Sequence, residues 1–199
     1  MLRRPIGRIL APVAVALTTA GLVTYKAVRA HAGPRGVLVV AGDSYAAGLG
    51  LAINQPPALR AGPEMDLTVT GLPGTTTRQW AEVVGESLKN RARRWVVFSL
   101  GTNDTGAPIQ QLRGDIAKIA ADCKTYKTGI AWIRPPRAVL LKLPEAAACW
   151  NAWARVVGEG RTFDTDANVK VDLGPDGLHP ATYRPWAEAL WSWLALLTA

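Results

Sequence analysis

Residues 37–44 read Val37-Leu38-Val39-Val40-Ala41-Gly42-Asp43-Ser44. Five apolar residues in a row, three of them valine, suit a strand buried on both faces, and such strands belong to parallel sheets. Gly42 stops the run, and the small residues Ala46 and Ala47 follow Ser44. A serine at a strand-to-helix turn points out of the sheet, with its own amide available as a donor. The competing reading makes Ser44 the N-cap of a helix starting near Tyr45.

Outward from this stretch the pattern repeats. Apolar or β-rich runs over 66–70, 95–100, 129–133 and 161–164 predict four more strands. Helical spacing predicts helices over 76–90, 109–122, 145–157 and 180–197. The first carries Trp80, Val83, Val84 and Leu88 on one stripe, and the second Leu112, Ile116, Ile119 and Ala120. Strands alternating with helices argue an α/β fold, a parallel sheet of about five strands covered on both faces. Ligands of such sheets bind beyond the carboxyl ends of the strands. There the sequence places Gly42-Asp43-Ser44, residues 71–77, Gly101-Thr102-Asn103-Asp104 and residues 172–179.

A formal charge of +8 on 199 residues suggests nucleic acid until it is located. Residues 1–36 hold Arg3, Arg4, Arg8, Lys26, Arg29 and Arg35 with no acid, and the remainder is nearly neutral. No nucleic-acid motif accompanies it. Residues 9–25 are 17 positions without a charge, about 25 Å as a helix and just enough to cross a bilayer with snorkelling flanks. Ala30-His31-Ala32 offers a signal-peptidase site, although Lys26 and Arg29 precede it. Residues 1–36 are therefore read as an export leader with its linker, a membrane anchor in preference to a cleaved signal, and residues 37–199 as one domain. The domain is expected outside the cytoplasm. Cys123 and Cys149 fit either one disulfide, worth about 3–4 kcal/mol, or two separately buried thiols.

A serine hydroxyl needs a base, and the base needs an orienting acceptor. With His31 in the leader, His179 is the domain's only imidazole. It lies in Asp176-Gly177-Leu178-His179-Pro180, where a turn can bring the Asp176 carboxylate to Nδ1. One histidine cannot build a histidine metal cluster, so the reading calls for no metal and no cofactor. Donors for an oxyanion are available from the Gly74 amide, with Gly71 as competitor, and from the Asn103 side chain. The eight tryptophans read mostly as core, Trp186 with Trp193 and Trp150 with Trp153 sharing helix faces. Tyr45, beside the serine, is the aromatic expected to touch substrate.

Taken together, these segments resemble the SGNH (GDSL-type) hydrolases, named for Ser, Gly, Asn and His in four blocks. Gly42-Asp43-Ser44 with Gly48 is similar to the nucleophile block. Pro73-Gly74-Thr75-Thr76 looks like the glycine block of the thioesterase/lysophospholipase/arylesterase branch. Gly101-Thr102-Asn103-Asp104 and Asp176-Gly177-Leu178-His179-Pro180 match the remaining two. Tyr45 departs from the leucine that often follows the serine. The resemblance implies a flavodoxin-like three-layer α/β/α fold and ester hydrolysis with Ser44, Asp176 and His179 as catalytic residues. It also implies an oxyanion hole from the Ser44 amide, the Gly74 amide and the Asn103 side chain. Small acyl esters, acylated envelope sugars, lysophospholipids and thioesters all suit the family. About 30 residues separate the first two blocks, leaving little room for a lid and favouring short acyl groups. The alternatives are an acyltransferase using the same serine and a non-catalytic envelope-binding domain.

Overall fold

The apolar runs become strands because burial on both faces rewards continuous Val, Leu, Ile and Phe, roughly 1.5–3 kcal/mol per fully buried side chain. The computed structural model describes residues 23–27, 37–53, 66–89 and 94–198. In chain order these form β1 (Val23–Ala27), β2 (Val37–Gly42), α1 (Ser44–Ile53), β3 (Asp66–Gly71), α2 (Thr77–Leu88) and β4 (Arg94–Ser99). There follow α3 (Ile109–Thr125), β5 (Gly129–Arg134), α4 (Ala146–Val157), β6 (Thr162–Asp164), the short α5 (Thr165–Asn168) and α6 (Arg184–Thr198). Two 3₁₀ turns, Arg137–Leu141 and Glu159–Arg161, flank α4.

The sheet order is β1-β3-β2-β4-β5-β6. The five strands β2 to β6 run parallel, as the alternation predicts. β1 is an addition. It pairs antiparallel with β3, Val23 opposite Gly71 and Ala27 opposite Leu67. Val23, Thr24 and Tyr25 belong to the uncharged run 9–25, so the helix expected there does not extend through them. The rest of that run, 9–22, lies outside the described residues. Among the described residues no helix is long and apolar enough to cross a membrane.

Alternation along the strands feeds two faces. Phe98 of β4 and Trp132 of β5 meet Trp153 of α4, while Phe163 of β6 meets Trp193 of α6. Thus α2, α3 and α4 form one layer and α1 with α6 the other, giving three layers in all. Trp153 and Trp186 are fully buried, as core readings require. One stripe needs correction. In α2 the buried positions are Thr77, Ala81, Val84 and Leu88, and Val83 is 53% exposed. A 3.6-residue period cannot bring both Val83 and Val84 inward on a helix that covers only one side of a sheet.

The connections explain where a site can form. From β2 the chain crosses through α1 to β3 on one side, then returns through α2 to β4 on the other. The carboxyl end of β2 is therefore the point where the winding reverses, and the crevice there is open to loops from three strands.

Candidate active site

Ser44, Gly74 and Asn103 follow β2, β3 and β4 at that crevice. Ser44 is the first residue of α1, and Asp43 caps the helix by accepting the Tyr45 amide at 3.0 Å. This overturns the N-cap reading of Ser44: the cap is its neighbour. As the first helical residue, Ser44 has an amide with no partner inside the helix, at the positive end of the helix dipole.

His179 arrives from the segment before α6. A β-bridge between Leu173 and Pro180 and the Gly174 amide donating to the His179 carbonyl at 2.7 Å fix that segment. Asp176 Oδ1 accepts from the amides of Leu178 and His179, both at 2.9 Å, and its Oδ2 lies 2.7 Å from His179 Nδ1. The His179 contact first, and then the two amides, hold the Asp176 carboxyl down at about 2. On its other side, His179 Nε2 lies 2.9 Å from Ser44 Oγ. Acid, imidazole and hydroxyl thus form one continuous chain of hydrogen bonds.

The second block is a turn closed by the Thr75 amide donating to the Leu72 carbonyl at 3.2 Å. Pro73 occupies its second position and Gly74 its third with φ +80°, the combination of a type II turn. The turn's own bond leaves the Gly74 amide out. Gly71, the competitor, serves another end. A Cβ there would come within 2.3 Å of the Ala47 backbone nitrogen, so Gly71 lets α1 lie close on β3. Asn103 is exposed, and its Nδ2 donates to the Thr75 carbonyl at 3.1 Å, tying the third block to the second.

Five side chains brace this frame through bonds that the sequence pattern does not show. Buried Asp104 accepts from the Thr77 amide at 2.9 Å and the Thr77 hydroxyl at 2.6 Å, holding the start of α2. Trp153 Nε1 donates to the same hydroxyl at 3.1 Å, and Thr75 Oγ1 donates to the Leu72 carbonyl while accepting from Trp80 Nε1. Desolvation pushes Asp104 up, against the Thr77 bonds. The available signal was an aspartate at a strand end opposite a helix opened by three threonines.

One expectation is corrected, and one open alternative is decided. Tyr45 does not face a substrate: it is 1% exposed, and its hydroxyl donates to the Leu178 carbonyl at 2.7 Å. It is the second residue of α1, on the side that packs against α6, so its ring turns inward. Cys123 and Cys149 are buried and not bonded to each other. α3 and α4 run the same way across the sheet, with Cys123 in the last turn of one and Cys149 in the first turn of the other. That offsets them by roughly 15 Å along the helix axes, beyond the reach of a disulfide.

Residues 40–183 match the model of the GDSL-like lipase/acylhydrolase family. The chain belongs to that family. It is a serine ester hydrolase of the GDSL type. Among solved structures this GDSL hydrolase is similar to a lipase/acylhydrolase from Enterococcus faecalis, at 19% identity and TM-score 0.58, covering 81% of this chain and 94% of that one. An acetylxylan esterase mutant from Geobacillus stearothermophilus superposes at TM-score 0.58 and 14% identity, over 80% and 94% of the two chains. The esterase EstA from Pseudoalteromonas gives 0.57 and 14%, over 81% and 97%. These identities speak to the shared fold. No curated protein sequence matches the chain.

Proposed function

We propose that this GDSL hydrolase cleaves short-chain carboxylic esters through an acyl-Ser44 intermediate, and that it works outside the cytoplasm. The observation that carries the chemistry is the run from Asp176 Oδ2 through His179 to Ser44 Oγ, at 2.7 and 2.9 Å. His179 Nε2 takes the hydroxyl proton as Ser44 Oγ attacks the ester carbonyl, and Asp176 stabilises the imidazolium that forms. The oxyanion is held by the Ser44 amide, the Gly74 amide and the Asn103 Nδ2 hydrogen not given to Thr75. Collapse expels the alcohol, protonated from His179. Water then attacks the acyl group, giving its proton to His179, and deacylation returns Ser44. No step asks for a metal or cofactor.

The short spacing between Ser44 and Gly74 supports small acyl groups, and the acetylxylan esterase shows such a group handled on this fold. Acetylated sugars or lipids of the envelope are the proposed substrates. Export rests on the basic and apolar leader, residues 1–36.

The test is a series of chromogenic esters of increasing acyl length, with free acid and transferred product both measured. Ser44→Ala should abolish hydrolysis with the fold unchanged, and a phosphonate ester should add its mass at Ser44 of the parent protein. A variant rate within about tenfold of the parent would remove Ser44 from the role. Transfer of acyl groups to a sugar in place of free acid would make the protein an acyltransferase.

A further inference from the structure

The hydroxyl of Tyr45 is buried, and its hydrogen bond reaches 133 positions along the chain to the Leu178 carbonyl. That carbonyl and the His179 amide hydrogen belong to the same peptide plane. The amide edge is held by Asp176 Oδ1 at 2.9 Å, and the carbonyl edge by Tyr45 at 2.7 Å. The plane that carries the catalytic imidazole is therefore gripped from both edges. The Tyr45 ring adds a contact with the imidazole itself, centroids 5.5 Å apart and tilted by 40°. Behind it Trp186 backs the ring edge-on at 5.6 Å, and Tyr183 stacks on Trp186 in turn.

Tyr45 also directly follows Ser44. The first turn of α1 thus supplies both the nucleophile and the strut that sets where the base stands. A leucine at this position has no hydroxyl to reach the carbonyl and no ring to lay against the imidazole. Peptide planes rotate easily in an exposed turn, and the Asp176 and His179 side chains are about half exposed, so among the described residues Tyr45 is the one that holds the carbonyl edge of this plane from the buried side. Catalysis between positioned groups falls steeply with misplacement of about 1 Å.

We infer that Tyr45 is a positioning residue, which holds the His179 peptide through the Leu178 carbonyl and so sets the Ser44–His179 distance. The inference rests on the catalytic reading of Ser44 and His179 given above. Tyr45→Phe in the full chain removes the hydroxyl and keeps the ring. It should lower kcat for a chromogenic acetate ester about tenfold, with KM within about twofold of the parent. Phosphonate labelling of Ser44, counted per folded molecule, should slow by the same factor. In proton NMR, the downfield signal of the His179 Nδ1 hydrogen should broaden.

Ile119→Val, which thins the core under α3, controls for loss of stability and should keep the parent kcat per folded molecule. An unchanged kcat and labelling rate in Tyr45→Phe would overturn the inference, and so would a rise in KM alone, which would put Tyr45 on the substrate. Activity surviving in Ser44→Ala is a different failure, since it would remove the catalytic reading itself.

Discussion

Asp43 sits beside the nucleophile yet is controlled by burial. It is 1% exposed, and desolvation pushes its carboxyl up to about 7 against the amides that it caps, with Asp104 adding to the rise. A group whose folded value is raised holds its proton more tightly in the folded state. Stability from this source is complete below about pH 4 and is lost as pH rises through about 7. Asp176 acts oppositely, its contribution present above about pH 4 and lost as pH falls toward 2. Asp43→Asn should therefore flatten the decline in urea-unfolding stability between pH 4.5 and 7.5. A parent protein as flat as the variant would mean that Asp43 stays ionised when folded. Asn103 makes a second prediction. Asn103→Ala should lower kcat by roughly 10²–10³ with a modest change in KM, the effect expected of the oxyanion role proposed for its amide. An effect on KM alone would make Asn103 a substrate contact, and stopped-flow acylation separates the two. The Asp176–His179 contact was legible because three residues of turn contain it. Tyr45 was not, because what buries it lies at the other end of the chain.

At the scale of elements, α1 is the part that must not move. It carries Ser44 and Tyr45, and it lies on β3 where Gly71 offers no side chain. Gly71→Ala should cost about 1–3 kcal/mol of stability, since backbone rather than a pliable side chain stands in the way. It should also lower activity by displacing Ser44. Gly74→Ala meets no neighbour within 4 Å, so its cost should come from φ +80° alone, roughly 1–2 kcal/mol. Urea titration of both variants beside ester assays checks the contrast, and an undisturbed Gly71→Ala would free α1 from this constraint. The parallel strands β2, β4 and β5 were legible as apolar runs, and β3 as a β-rich stretch broken by Gly71, while β6, Thr-Phe-Asp, carries only a weak signal. β1 was not: Val-Thr-Tyr-Lys-Ala closes a longer apolar stretch, and nothing local distinguishes a strand there from the end of a helix. Helical spacing places Trp80 and Trp153 against the core, but their indole bonds to Thr75 and Thr77 depend on loops that a helical wheel does not show.

For the whole molecule, the leader and the sheet compete for the same residues. A spanning helix over 9–25 and the strand β1 both claim Val23, Thr24 and Tyr25. A retained leader keeps β1 paired with β3 in the sheet. Cleavage after Ala32 would instead strip β1 away and leave the backbone of β3 on an open edge. We therefore expect the leader to be retained, and intact mass of the protein recovered from cells should include residues 1–36. A mature chain beginning at Gly33 would show that the sheet ends at β3. A last consequence is optical. Trp132 and Trp153 stack at 6.2 Å with their planes 8° apart, and the Trp153 indole is bonded to Thr77, which Asp104 also holds. Two indoles this close couple their electronic transitions. A shift of the loop beside Asn103 that moves Asp104 is expected, through Thr77, to tilt one against the other and change their near-ultraviolet circular dichroism, an intrinsic reporter of how the crevice is set.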